Sequence, residues 1–107
     1  MTATPYLVDR YVIDTLLPDL VGHDRSTSAF LVYLVILTAA AETGRVAFSH
    51  AQLAERTGMS RRAVQAAVAR LSRRQLIEIT RRGATETSQY RPLPACPLAR
   101  RALGQGT

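Results

Sequence analysis

Two short amphipathic helices joined by a tight turn constrain the fold of this chain more than any other feature of its sequence. Helical spacing of apolar residues predicts one helix at about 50–57 and a second at about 60–73. Gly58 lies between them and can adopt the positive φ that a tight turn requires, and Ser60 can cap the second helix. The second helix has apolar residues at positions i, i+3, i+4 and i+7, a stripe expected to face the core: Val64, Ala67, Val68 and Leu71.

Two further helices are predicted before this pair. Thr4–Pro5 suits an N-cap followed by a first helical position, and the apolar spacing that follows predicts a helix over about 5–17, ending near Pro18. A loop is expected at 20–25, followed by a helix from about 26 to 42. This last helix is apolar on every face. It must therefore be covered on several sides, either by this chain alone or in part by a partner subunit.

A short strand is predicted immediately before the helix pair. Arg45–Phe48 follows a glycine and is too short for a helix, so it suits a strand. Ser49 with Gln52 three residues later forms a capping box, in which each side chain bonds the other residue's backbone N–H. This signal predicts that the next helix begins at about residue 50.

A β-hairpin is predicted after the helix pair. Strands at about 76–80 and 85–91 flank a tip at 81–84 that contains a glycine. Pro92 and Pro94 are expected to end the ladder, since proline has no N–H to donate. The residues expected to face the core are Ile77, Ile79 and Tyr90.

Positive charge is confined to the helix pair and the segments after it. The chain has 14 basic residues, all of them arginine, 8 acidic residues and a net charge of +6. Residues 1–54 carry a net charge of −2, residues 55–91 carry +6, and Arg100 and Arg101 add the remainder. A basic surface localised in this way is typical of nucleic-acid-binding proteins. The alternative interpretation is a solvated arginine-rich face.

The outer side of the second helix has residues that suit contact with DNA. The inward stripe leaves four residues on the opposite side: Arg61, Arg62, Gln65 and Ala69. Arginine can bind guanine, and glutamine can bind adenine, through two hydrogen bonds each. Arg70, Arg73 and Arg74 lie farther along and are expected to contact the DNA backbone or nothing. For each arginine the alternative is a solvated surface side chain.

The order of these elements resembles a winged helix-turn-helix domain, of the kind found in MarR-like and GntR-like bacterial regulators and in some phage or plasmid replication proteins. The resemblance covers about residues 27–92 and is carried by Leu53–Ala54, Gly58–Met59–Ser60, Val64, Ala67–Leu71 and Gln75–Leu76–Ile77. It implies a mainly α fold with a small β-hairpin wing, and the extra N-terminal helix predicted from periodicity lies outside the resemblance. The expected organisation is an N-terminal helix and loop at 1–26, the winged helix domain at 27–92, and a tail at 93–107 with room for a short helix.

The resemblance also implies which residues contact DNA. It places one set of positions in the major groove: Ser60, Arg61, Arg62, Gln65, Ala66 and Ala69. Arg81, Arg82 and Gly83 match the tip of the wing, which in this class commonly contacts the minor groove or the backbone. Arg70, as an expected backbone contact, completes the predicted DNA-binding residues.

Signatures of catalysis, metal binding and cofactor binding are missing from the sequence. His23 and His50 have no second ligand at metal-binding spacing, and Cys96 is the single cysteine, so neither a zinc site nor a disulfide within the chain is expected. The apolar run at 29–41 has 13 residues, too few to cross a bilayer. We therefore expect no enzyme activity, cofactor, metal or membrane association. Four aspartates recur every five residues and predict a solvated acidic face rather than a paired site: Asp9, Asp14, Asp19 and Asp24.

These observations predict a sequence-specific protein that binds double-stranded DNA and regulates transcription. It is expected to act as a homodimer in the bacterial cytoplasm, in association with the nucleoid. Two alternatives stay open. One is a replication or partition factor of a phage or plasmid that uses the same domain. The other is a winged helix that binds a protein partner through the apolar surface near residues 30–37.

Overall fold

Three α-helices and a small antiparallel sheet follow a helical segment near the N-terminus. The computed structural model describes residues 7–81 and 87–93, with the backbone but not the side chain of Arg81. The predicted fold class, mainly α with a small β wing, is confirmed. The elements are α1 (Thr27–Ala39), β1 (Val46–Phe48), α2 (His50–Thr57), α3 (Arg61–Arg73), β2 (Ile77–Arg81) and β3 (Ser88–Pro92).

The N-terminal helical segment is longer at its C-terminal end than predicted. It contains two π-helical stretches, Val12–Leu16 and Pro18–His23, so the predicted end near Pro18 is wrong, and the predicted loop at 20–25 is wrong for residues 20–23. Proline inside a helix lacks an N–H and crowds the carbonyl four residues earlier. The wider π turns on both sides of Pro18 accommodate that crowding and let the helix continue past it.

The beginning of this segment also differs from the prediction. The Thr4–Pro5 start lies outside the described residues, and residues 7–9 are not helical. Helical structure begins at Arg10. Just before it, Asp9 accepts a hydrogen bond from the Tyr11 N–H through Oδ1 at 2.9 Å, as helix-capping side chains do.

Helix α1 runs through the centre of the molecule. Ser26 caps it by accepting a hydrogen bond from the Ala29 N–H at 3.2 Å. The helix ends at Ala39, and not near residue 42 as predicted, because the chain turns through residues 40–43 to Gly44. Gly44 has φ +85°, and its N–H donates to the Ala40 carbonyl at 2.8 Å. Residues 40–42, which the sequence pattern predicts as the end of the helix, therefore belong to a turn that this hydrogen bond closes.

The core is formed around α1 mainly by this chain itself. Helices α2 and α3, strand β3 and the second π-helical stretch all contact α1. Leu16 and Leu20 of the N-terminal segment are buried in the same core as α3, although the predicted domain boundary at 26/27 separates them from it. That boundary remains a prediction. Leu31 is the large apolar side chain of α1 that stays exposed, at 40%.

One three-stranded sheet contains both the predicted hairpin and the predicted isolated strand. The strand order is β1-β3-β2, and Tyr90 of β3 pairs with Val46 on one side and Ile79 on the other. Ile77 and Tyr90 are buried and Ile79 is half-buried, as predicted. Pro92 forms the last position of β3, so it ends the ladder from within the strand.

The end of β3 is attached to the helical core. The Tyr33 hydroxyl donates a hydrogen bond to the Leu93 carbonyl at 3.2 Å, and the Leu93 N–H donates to the Leu76 carbonyl at 2.8 Å. These bonds hold the base of the β2–β3 hairpin against α1. The predicted tail helix lies outside the described residues, which end at Leu93.

Candidate nucleic-acid interface

The turn between α2 and α3 is determined by local hydrogen bonds. The predicted capping box is present, since Ser49 Oγ accepts from the Gln52 N–H at 3.1 Å and Gln52 Oε1 accepts from the Ser49 N–H at 2.8 Å. Gly58 follows α2 with φ +76°, as predicted. Ser60 then begins α3 by accepting a hydrogen bond from the Ala63 N–H at 3.1 Å. The backbone N–H groups at the start of a helix have no partner within the helix. The bonds described here give some of these groups a partner and keep the start of α3 in one orientation.

Helix α3 has two sharply different faces. Its inner stripe is buried as predicted: Val64, Ala67, Val68 and Leu71. Five residues of the opposite side are exposed, and we call them the outer face: Arg61, Arg62, Gln65, Ala66 and Ala69. Within the parts of the chain that the structure describes, the side chains of Arg61, Arg62 and Gln65 make no hydrogen bond or ion pair. Their polar groups are therefore available to a ligand in solution.

Arg74, just beyond α3, is bound by the N-terminal helical segment. Its Nη1 donates to Asp24 Oδ2 at 2.5 Å, and its Nη2 donates to Asp19 Oδ2. We call Asp19, Asp24 and Arg74 the Arg74 cluster. The prediction of a solvated acidic face is wrong for Asp19 and Asp24, which are half-buried and accept hydrogen bonds from Arg74. Helical continuation beyond Pro18 places both carboxylates next to the end of α3.

The cluster also affects the electrostatics at this end of α3. The hydrogen bond to Asp19, supported by the bond to Asp24 and by both negative charges, raises the pKa of Arg74 above its ordinary value, against the opposing effect of partial burial. Arg70 Nη1 lies 3.8 Å from Asp24 Oδ2 and shares that carboxylate. Arg73 is exposed and makes no ion pair with any described residue.

The base of the wing has its own cross-strand ion pair. Glu78 and Arg91 occupy paired positions of β2 and β3, and Arg91 donates from Nε and Nη2 to the two carboxylate oxygens at 3.1 and 3.0 Å. The predicted tip residues Arg82 and Gly83 lie outside the described residues. Arg81 is the last residue of β2.

A groove borders the outer face on the side of α1. It has a volume of about 440 Å³ and is lined by residues from the start of α1 and from α3, including Arg25, Ser28, Ala66, Ala69, Arg70 and Arg73. Arg25 was not among the predicted site residues, because it is 45 and 48 positions away from Arg70 and Arg73, the α3 arginines that line the groove. The sequence contains no local signal that would have connected them.

Other kinds of site are not seen in the described ranges 7–81 and 87–93. No group of three or more histidine, cysteine, aspartate or glutamate side chains there could hold a metal ion. No helix in those ranges combines the length and the apolar character needed to cross a bilayer.

A capped two-helix turn, an arginine-bearing outer face and a β wing together define a winged helix-turn-helix DNA-binding domain. The family model of the Crp-like helix-turn-helix domain matches residues 28–89, which is more than half of the chain. The chain belongs to this Crp-like helix-turn-helix family and is a DNA-binding transcriptional regulator. Proteins of this class are in general regulators and not enzymes.

None of the curated proteins matches the chain significantly. Among solved structures, the chain is similar to the crystal structure of the AntR antimony-specific transcriptional repressor, with 26% sequence identity, 99% of this chain and 90% of that chain covered, and a TM-score of 0.45. The narrower resemblance to MarR-like or GntR-like regulators, or to replication proteins, remains a prediction.

Proposed function

We propose that α3 enters the major groove of double-stranded DNA and reads its sequence. The observation that carries this proposal is the outer face, where the side chains of Arg61, Arg62 and Gln65 are exposed and have no described partners. The buried inner stripe packs the opposite side of the helix into the core. Each bidentate contact from arginine to guanine or from glutamine to adenine contributes about 1–3 kcal/mol of discrimination. Ala66 and Ala69 keep the centre of this face shallow, so that the helix can approach the base edges closely.

The remaining predicted residues lie at the flanks of the proposed interface. Ser60, at the start of α3, contacts a phosphate or a base edge near the groove entrance. Arg81 and Arg82 contact the minor groove or the backbone from the wing, whose base is supported by the Glu78–Arg91 ion pair. Arg70 contacts the backbone from the side of α3 nearest Asp24.

The proposed active form is a homodimer that acts on the nucleoid in the bacterial cytoplasm. Its support is that two large apolar side chains stay exposed in one copy, Leu31 at 40% and Ile13 at 47%. A dimer would place two copies of α3 on two half-sites about one helical turn, roughly 34–36 Å, apart or a multiple of it. Palindromic binding sites are the expected consequence.

Selection of bound sequences from a random duplex pool tests these proposals. We expect enrichment of a palindrome whose half-site contains a guanine that Arg61 or Arg62 contacts. Arg61→Gln should relax the preference at one position of each half-site. Absence of any retardation of duplex DNA by micromolar protein at low salt would refute DNA binding by the outer face.

A charge-reversal experiment separates DNA binding from the protein-interaction alternative. The variant Arg61→Glu/Arg62→Glu should lose DNA binding and regulation of a reporter together. The control for each single reversal, Arg61→Glu or Arg62→Glu, is Arg10→Glu, the same substitution on an exposed residue of the N-terminal segment. If regulation survives in the double variant, the partner recognised by α3 is not DNA.

A further inference from the structure

We infer that the groove between α1 and α3 binds the phosphate backbone of one DNA strand, with Arg25 as a contact outside the helix-turn-helix. This inference rests on the proposed function, because it extends the same interface. It adds a segment of the chain, the junction before α1, that precedes the helix-turn-helix by more than 20 residues.

The groove contains positive charge that the protein does not neutralise. Arg25 and Arg73 both line it, both are exposed, and neither has an ion-pair partner among the residues described. Arg70 also lines it and shares only one carboxylate, at 3.8 Å. By contrast, Arg74 is bound by two carboxylates and does not line the groove. The groove therefore attracts a polyanion through Arg25, Arg70 and Arg73.

The lining of the groove favours contact with the phosphate backbone of DNA over contact with base edges. Ala66 and Ala69 belong both to the outer face and to the groove lining, so the two surfaces are continuous. Their methyl groups offer no hydrogen bonds to base edges. A helix in the major groove has a phosphate strand on each side, and arginines beside the helix contact those phosphates without reading sequence. The strand on the α1 side would thus lie along Arg25 and Arg73.

The backbone of Arg25 is held between two anchored neighbours. Asp24 on one side binds Arg74, at the end of α3. Ser26 on the other side caps α1 and donates its N–H to the Leu20 carbonyl at 2.7 Å. Arg25 itself has φ +53°, a left-handed conformation that arginine rarely adopts. The position of Arg25 relative to α3 is therefore set before DNA arrives, which lowers the ordering cost of the contact.

Two substitutions at Arg25 test the inference on the full chain. Arg25→Asn removes the charge with a residue that tolerates the left-handed conformation, and Arg25→Lys keeps the charge. The matched control is Arg10→Gln, an equal charge loss at the far end of the N-terminal helical segment. The dissociation constant is measured against salt concentration, for the selected duplex and for an unrelated duplex.

Loss of one phosphate contact should reduce the magnitude of the log K against log[salt] slope by about 0.9. Between about 1 M and 0.1 M salt this corresponds to roughly eightfold weaker binding at the lower concentration. We expect this loss for Arg25→Asn, equally on both duplexes, and a slope close to that of the unmodified protein for Arg25→Lys.

Two results would overturn the inference. The first is an Arg25→Asn variant that matches Arg10→Gln in both affinity and slope. The second is binding of inorganic phosphate, at constant ionic strength, that depends on Arg25 while DNA affinity does not, which would make the groove a separate anion site. Failure of the proposed function is distinct, since Arg61→Gln would then leave the preferred sequence unchanged.

Discussion

Replacement of Asp24 by asparagine should destabilise the protein far more than an equivalent change in an exposed ion pair. Asp24 is 12% exposed and hydrogen-bonds Arg74, which is 34% exposed, at 2.5 Å. Removing one partner costs about 3–5 kcal/mol in a fully buried pair, and exposed pairs contribute about 0–1 kcal/mol. Because the burial of this pair is intermediate, we expect the free energy of unfolding to fall by about 2 kcal/mol. This lowers Tm by roughly 10 °C for a domain of this size.

Urea unfolding followed by circular dichroism measures this difference. With a slope of about 1–2 kcal/mol/M, the midpoint for Asp24→Asn should fall by about 1–2 M. The control is Asp14→Asn, because Asp14 pairs with Arg10 at 2.9 Å on the exposed surface of the same segment. Asp14→Asn should lower the free energy of unfolding by less than about 0.5 kcal/mol.

A double-mutant cycle with Arg74→Gln isolates the interaction itself. We expect a coupling free energy of about 1 kcal/mol or more between Asp24 and Arg74. A coupling near zero, or equal losses for Asp24→Asn and Asp14→Asn, would refute the reasoning that the cluster attaches the N-terminal segment to α3.

The remaining predictions concern backbone geometry, the core, pH and sequence reading. Gly58→Ala should destabilise by about 1 kcal/mol or more because φ is +76°, whereas Gly22→Ala, which has equally open space for a Cβ but no positive φ, should be neutral or stabilising by thermal unfolding. Leu20→Ala should cost about 2–5 kcal/mol in the same measurement, because the side chain is fully buried. Because the pKa of Arg74 is raised in the folded protein, the stabilisation that its charge contributes is fully present below the ordinary arginine pKa and is lost only above it. The difference in unfolding free energy between Arg74→Gln and the unmodified protein should therefore not change between about pH 7 and pH 9 in urea titrations. Arg61→Gln should reduce discrimination at one base pair by about 1–3 kcal/mol, measured by competition between duplexes, and an unchanged preference would contradict major-groove reading by this residue.

Local sequence determined the helix-turn-helix in detail. The capping box at Ser49 and Gln52, the left-handed Gly58 and the N-cap Ser60 all act over three or four residues, so their structure follows from neighbours in the chain. The inner stripe of α3 is likewise a property of helical periodicity. The outer face that we propose as the DNA contact could be assigned from sequence for that reason.

Only the tertiary structure decided how the rest of the chain is attached to this motif. Asp24 and Asp19 reach Arg74 across 50 and 55 positions, β1 joins the sheet by pairing with β3, and Arg25 shares a groove with α3. Periodicity could not predict these pairings, because partners so far apart leave no local pattern. The prediction that the N-terminal helix ends near Pro18 is wrong for the same reason. Whether a helix stops at a proline or continues in wider turns depends on what its far side packs against, and here Leu20 is buried in the core around α1.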